Sequence, residues 1–251
     1  MTILGVIGGM GPQAGLDFAG KIIANTQAKR DQDHLPCMLV SCPSIIPDRT
    51  EFLFQSKDEG NPAHGMFESA KRLHMAGISI AAVACNTAHA GRIFTPFCAM
   101  VKESLPGLRI INMLETCAAY VKEKMGIKRI GLLATKGTHK CRVYHEYFRE
   151  EEGFHLLEPD EAGQENIHEA IFSLDFGIKV HSSSIKPEAS RRIKDEAEKL
   201  IERGAEAVIL GCTELPLAVN DISLTVPFID PALITARRFI EIAEPEKLII
   251  P

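Results

Sequence analysis

Short apolar runs alternate along this chain with longer stretches in which apolar positions recur every three to four residues. The runs predict strands over 3–7, 35–42, 78–84, 108–113, 129–134, 153–157, 207–210 and 224–229. They are nearly continuous rather than alternating, as expected of parallel strands buried on both faces. The periodic stretches predict helices over 13–30, 63–75, 116–125, 141–151, 161–174, 187–203 and 231–243. Strand and helix in alternation give an α/β fold with parallel sheets covered by helices on both faces.

The pattern occurs twice. Ala70, Leu73, Gly77 and Cys85 are matched by Ala197, Leu200, Gly204 and Cys212 at the same spacing. Gly5-Val-Ile-Gly8-Gly9-Met10-Gly11 corresponds to Gly131-Leu-Leu-Ala134-Thr135-Lys136-Gly137, and Val226–Asp230 echoes Ile110–Glu115. Three matches in register indicate duplication of one α/β unit. The expected fold is therefore two pseudo-symmetric domains, 1–113 with 228–251 and 114–227, each a parallel sheet flanked by helices. Ligands of open α/β sheets bind beyond the carboxyl ends of the strands. Both glycine loops and both matched cysteines fall there, so the active site is expected in the cleft between the domains.

With 251 residues the chain is long enough to bury a sizeable core, and its net charge of −5 comes without a basic block, so neither nucleic acid nor an anionic membrane is an expected partner. No apolar run is long enough to cross a bilayer, and the first residues read as a strand, not a signal peptide; a cytoplasmic protein is expected. Seven scattered cysteines suggest reduced thiols rather than a disulfide framework.

Most lone cysteines are small buried apolar residues, which suits Cys37, Cys42, Cys98, Cys117 and Cys141. Cys85 and Cys212 differ. Each ends an apolar run and precedes polar residues suited to a strand-to-helix turn, Asn86-Thr87 in one half and Thr213-Glu214 in the other. Two thiols at opposing strand ends can address one carbon from opposite sides, as racemisation without a cofactor demands. One serves as thiolate base and the other as thiol acid, and the pair titrates as a coupled system. Backbone N–H groups and side chains of Asn86, Thr87 and Thr213 can hold a substrate carboxylate as it gains negative charge. Zinc would need tighter clustering than Cys85 with His89 offers, so no metal is expected.

Gly8-Gly9-Met10-Gly11-Pro12 lacks the order of a dinucleotide or P-loop fingerprint; its glycines allow backbone amides to approach a substrate closely. Arg49 sits in the loop Pro43–Thr50 just after a strand, where its guanidinium can fork onto a carboxylate. A loop arginine is expected to contribute little to stability. Lys179, in Asp175-Phe-Gly-Ile-Lys179, reads by itself as a solvated lysine. His89 and Glu214 lie close enough to the cysteines in sequence for either to orient a thiol. The charged run 188–206 reads as a solvated helix face.

With these motifs assembled, the chain resembles the aspartate/glutamate racemase superfamily over essentially its whole length, most closely the aspartate racemase branch. The residues that carry the resemblance are Ile7–Pro12, Pro47–Thr50, Ala84–His89, Leu133–Thr135 with Gly137-Thr138, and Gly211–Leu215. The resemblance implies cofactor-independent interconversion of L- and D-aspartate, with glutamate a further candidate, by Cys85 and Cys212 as acid and base. It implies a substrate carboxylate cradled near Met10, Asn86, Thr87 and Thr213, with Arg49 on the side-chain carboxylate. A second-domain lysine completes that contact in aspartate-specific members; Lys179 is the candidate, with Lys186 nearby. It also implies a homodimer. Alternatives on the same scaffold are a hydantoin racemase, which needs no Arg49, a maleate isomerase, and an arylmalonate decarboxylase, which uses one cysteine. A non-catalytic amino-acid-binding protein would have little use for both thiols.

Overall fold

In the computed structural model, residues 2–56 and 59–249 are described; positions 1, 250 and 251 at the ends of the expected first domain lie outside them. The chain divides into two units, Met1–Thr116 with Ala232–Pro251, and Cys117–Pro231.

The first unit runs β1 (Leu4–Gly8), α1 (Pro12–Ala24), β2 (Cys37–Ser41), α2 (Arg49–Phe54), α3 (Pro62–Met75), β3 (Ile80–Val83), α4 (Gly91–Ser104) and β4 (Arg109–Ile111). Helix α5 (Met113–Tyr120) carries the chain into the second unit and widens into a π-helical turn, Val121–Met125, before Gly126. The second unit runs β5 (Arg129–Ala134), α6 (Lys136–Lys140), β6 (His155–Leu157), α7 (Glu161–Phe172), α8 (Pro187–Glu202), β7 (Ala207–Gly211) and β8 (Phe228–Ile229). Helix α9 (Pro231–Ala243) returns to the first unit, where Phe239 packs edge-on against Phe18 of α1.

Each unit holds one four-stranded, wholly parallel sheet, in the order β2-β1-β3-β4 and β6-β5-β7-β8. The orders superimpose when β1 is matched to β5. The inner strands β1 and β7 are buried at every position, which is why they read as unbroken apolar runs. The sequence repeat is a packing repeat as well. Gly5 pairs with Ala81 and Gly131 with Val208. A Cβ on Gly5 would lie 3.0 Å from Leu73 of α3, and one on Gly131 would lie 3.1 Å from Leu200 of α8. In both halves a glycine on the central strand makes room for the same helix leucine.

All eight predicted strands are present, though β8 keeps only two residues of the predicted run. Several helical readings change. The helix predicted over 13–30 stops at Ala24, because the Asn25 side chain donates to the Lys21 carbonyl and Thr26 Oγ1 to that of Ile22, diverting the chain to a bridge with Leu248. The helix predicted over 141–151 lies earlier, at α6. Thr135 caps its start by accepting from the Thr138 N–H, and Arg142 stands beyond its end with a left-handed φ of 50°. Helices α2 and α4 were not anticipated; prolines around Arg49, and Pro96 inside α4, mask them. Finally, the charged run on α8 is not wholly solvated. Glu196 is buried and is held by Asn166 and Lys199.

Candidate functional site

In the first unit the site residues gather at the carboxyl ends of β1, β2 and β3. Cys85 lies two residues beyond β3, buried, and the chain turns at once through a short 3-10 helix, Thr87–His89. Asn86 and Thr87 are buried beside it. His89 reaches back along this turn: its Nδ1 lies 2.8 Å from the Cys85 carbonyl oxygen, and its Nε2 accepts the Met113 N–H at 3.3 Å. A backbone N–H can only donate, so the proton sits on Nδ1 and the ring is neutral. Burial agrees, pushing the imidazole down to about 4. His89 therefore secures the Cys85 backbone and not the thiol.

The glycine loop closes over the end of β2. Gly9 has φ +90°, and a Cβ there would lie 2.9 Å from the Cys42 backbone nitrogen, so only glycine suits the position. Met10 is buried, and its carbonyl accepts from Arg49 Nη2 at 2.9 Å, while Arg49 Nη1 donates to the Pro47 carbonyl at 3.1 Å. Arg49 is the first residue of α2, whose N-terminus Asp48 caps through the Glu51 N–H. The arginine is 9% exposed. It is a buried tie between two loops, not a solvated loop arginine.

In the second unit Cys212 follows β7 directly and is buried. Gly211 before it is pressed against β5; a Cβ there would come within 2.9 Å of the Leu133 carbonyl oxygen. The Cys212 thiol donates to Glu214 Oε2 at 3.0 Å, and Thr213 Oγ1 lies 3.4 Å from the same oxygen. The other oxygen of Glu214 is paired with the Lys179 ammonium. The loop after α7 carries Lys179 there by folding back on the helix, its N–H donating to the Ile171 carbonyl at 3.0 Å. Burial, and then the negative charge of Glu214, hold the Cys212 thiol well above its ordinary range, with Lys179 opposing. Cys212 thus carries its proton at neutral pH.

Sequence reasoning passed over Tyr144. It lies fully buried in the turns after α6, and burial first, then the neighbouring Cys117, Asp230 and Cys212, hold its phenol well above the ordinary range. Its stretch reads as an amphipathic helix, a pattern that gives no sign of so buried a phenol. Lys186 stands at the N-cap of α8. All seven cysteines are free thiols. Burial raises Cys37 and Cys98 to about 11 and Cys117 further still, as suits cysteines that fill space. Among the described residues no three His, Cys, Asp or Glu side chains converge as metal ligands, and no helix is long and apolar enough to cross a membrane.

This is a doubled α/β protein with one buried thiol just past the same inner strand of each half. The family model described as Asp/Glu/Hydantoin racemase matches residues 7–239, and the chain belongs to that family. It is 24% identical over 245 residues to the broad specificity amino-acid racemase RacX of Bacillus subtilis, covering 94% of this chain and 95% of that one. Among solved structures it is similar to the aspartate racemase of Picrophilus torridus, with 29% identity, a TM-score of 0.79, and 97% and 94% of the two chains covered. An aspartate racemase homologue from Pyrococcus horikoshii OT3 is 28% identical with a TM-score of 0.69, over 97% of this chain and 99% of that one.

Proposed function

We propose that this protein is a cofactor-independent racemase of acidic amino acids, with aspartate the principal substrate and glutamate a second. Cys85 and Cys212 are the acid/base pair. A thiolate removes the α-proton and a thiol delivers a proton to the opposite face, the roles exchanging for the other enantiomer. Asn86, Thr87, Thr213 and the Met10 loop receive the α-carboxylate, whose negative charge grows as the carbanion forms. Arg49 and Lys179 serve the side-chain carboxylate. The observation that carries the reading is the equivalence of the two cysteines: each is buried, just past matching strands in sheets of the same order. The aspartate racemase and the aspartate racemase homologue among the similar structures support the choice of substrate.

One observation favours a wider range. Lys179 is already paired with Glu214, which weakens the demand for an acidic side chain, and a similar chain is a broad specificity racemase.

The test is incubation of the reduced protein with L-aspartate, L-glutamate and a neutral L-amino acid in D2O without added cofactor. α-Proton exchange is followed by NMR and the enantiomers by chiral chromatography. Deuterium gain with appearance of the D-isomer is expected, fastest for aspartate. Absence of exchange with all three would reject the racemase reading, and equal rates would establish the broad one.

A further inference from the structure

Glu214 uses its two oxygens for two different partners. Oε2 accepts the Cys212 thiol proton at 3.0 Å, and Oε1 is paired with the Lys179 ammonium. The Glu214 side chain is 3% exposed and that of Lys179 21%, so the lysine is the member of the chain that a solute can reach. Its ammonium also lies 5.5 Å from the centre of the Phe172 ring. In so buried a setting a carboxylate's charge is weakly screened, and its hold on a neighbouring proton depends on how well its own counter-ion neutralises it.

We propose that Glu214 is a positioning residue that transmits the charge of Lys179 to the proton on Cys212. While Lys179 neutralises Glu214, the carboxylate pulls less strongly on the thiol proton, and thiolate forms more readily. A carboxylate arriving on Lys179 from solution draws it away from Glu214. The carboxylate left behind then grips the Cys212 proton harder and biases the pair toward a protonated Cys212, without closing the exchange of roles. Under the racemase reading, on which only this last step rests, the arriving group is the substrate's side chain. Tyr144 also faces Cys212, with Cys117 and Asp230 acting on that tyrosine in turn. Lys179→Met and Glu214→Gln leave these three groups in place, so the difference between the two variants reports the coupling itself.

The experiment is the rate of iodoacetamide labelling at Cys212 in the full chain at about pH 8, read on the peptide that carries it, for wild type, Lys179→Met, Lys179→Arg and Glu214→Gln. Labelling follows the thiolate fraction, tenfold per pH unit below the thiolate midpoint. Lys179→Met is expected to slow it about tenfold or more, Glu214→Gln to speed it by a similar factor, and Lys179→Arg to restore the wild-type rate. Opposite signs are the signature of coupling, because loosened packing would speed labelling in every variant. Unchanged rates in both Lys179→Met and Glu214→Gln, or changes of the same sign, would overturn the proposal. Labelling needs no turnover. A protein that racemises nothing yet shows opposite shifts keeps the coupling and loses the function; one that racemises aspartate with unshifted labelling does the reverse.

Discussion

His89 Nδ1 lies 2.8 Å from the carbonyl oxygen of Cys85, four residues before it, and the same ring accepts the Met113 N–H through Nε2. The histidine thus joins the cysteine turn to the start of α5 and does so only when neutral. Its folded value of about 4 lies below the ordinary 6.5, so the unfolded chain takes up the proton first as pH falls. The stability this contributes is complete above about pH 6.5 and is lost as pH falls toward 4, to an upper limit of about 3 kcal/mol. Urea midpoints measured between pH 7 and 4.5 should fall in the wild type. In His89→Gln the fall should be visibly smaller, while stability at pH 7 is already lower; parallel curves would remove His89 from the acid response.

Arg49 should prove structural as well as functional. Truncating it strands the Met10 and Pro47 carbonyls that its guanidinium now serves. Arg49→Ala is expected to lower stability by about 3 kcal/mol, from two charged-donor hydrogen bonds lost in a buried place. Arg49→Lys should recover part of this, since an ammonium keeps the charge but not the fork. Thermal melts separate the effect from substrate recognition. Undiminished stability with weakened use of aspartate would mean that the two carbonyls find other donors.

Gly9 leaves no room for a side chain. Gly9→Ala places a Cβ at φ +90° and against the Cys42 backbone, and should cost about 2–4 kcal/mol. Gly5→Ala and Gly131→Ala offer a graded comparison. The first brings the new methyl to 2.8 Å from Ile78 Cγ2, the second no closer than 3.1 Å to Leu200. Because Ile78 is β-branched and stiff, Gly5→Ala is expected to cost about 1–3 kcal/mol and Gly131→Ala less. Denaturant titration of the three variants tests the order.

The thiols themselves should matter to chemistry and little to folding. Cys85→Ala and Cys212→Ala are each expected to abolish two-way racemisation, and serine at either position to leave very little activity, since a hydroxyl is a far weaker acid than a thiol. Chiral chromatography with both enantiomers of aspartate as starting material checks this. Wild-type turnover in any of these variants would reject the two-base mechanism.

The strands, their parallel arrangement and the doubling of the unit were determined by the sequence alone. A buried parallel strand must be apolar on both faces, so β1, β3, β5 and β7 announce themselves locally, and Gly5 with Leu73 and Gly131 with Leu200 repeat because each half solves the same packing problem. The cysteines were legible for the same reason, as the residues that end two such runs. Helix α4 was legible only in part: Ile93, Phe97 and Val101 mark its buried face, but Gly91 and Pro96 read as breakers. Tertiary structure alone decided what the polar side chains do. Glu214 meets a lysine 35 positions away and Arg49 a carbonyl 39 positions away, while His89, close to Cys85 in the chain, turns to its backbone instead of its thiol. Apolar periodicity is a local property of the chain. A charged or hydrogen-bonding partner is chosen by where folded loops land, and by which buried groups would otherwise go unsatisfied.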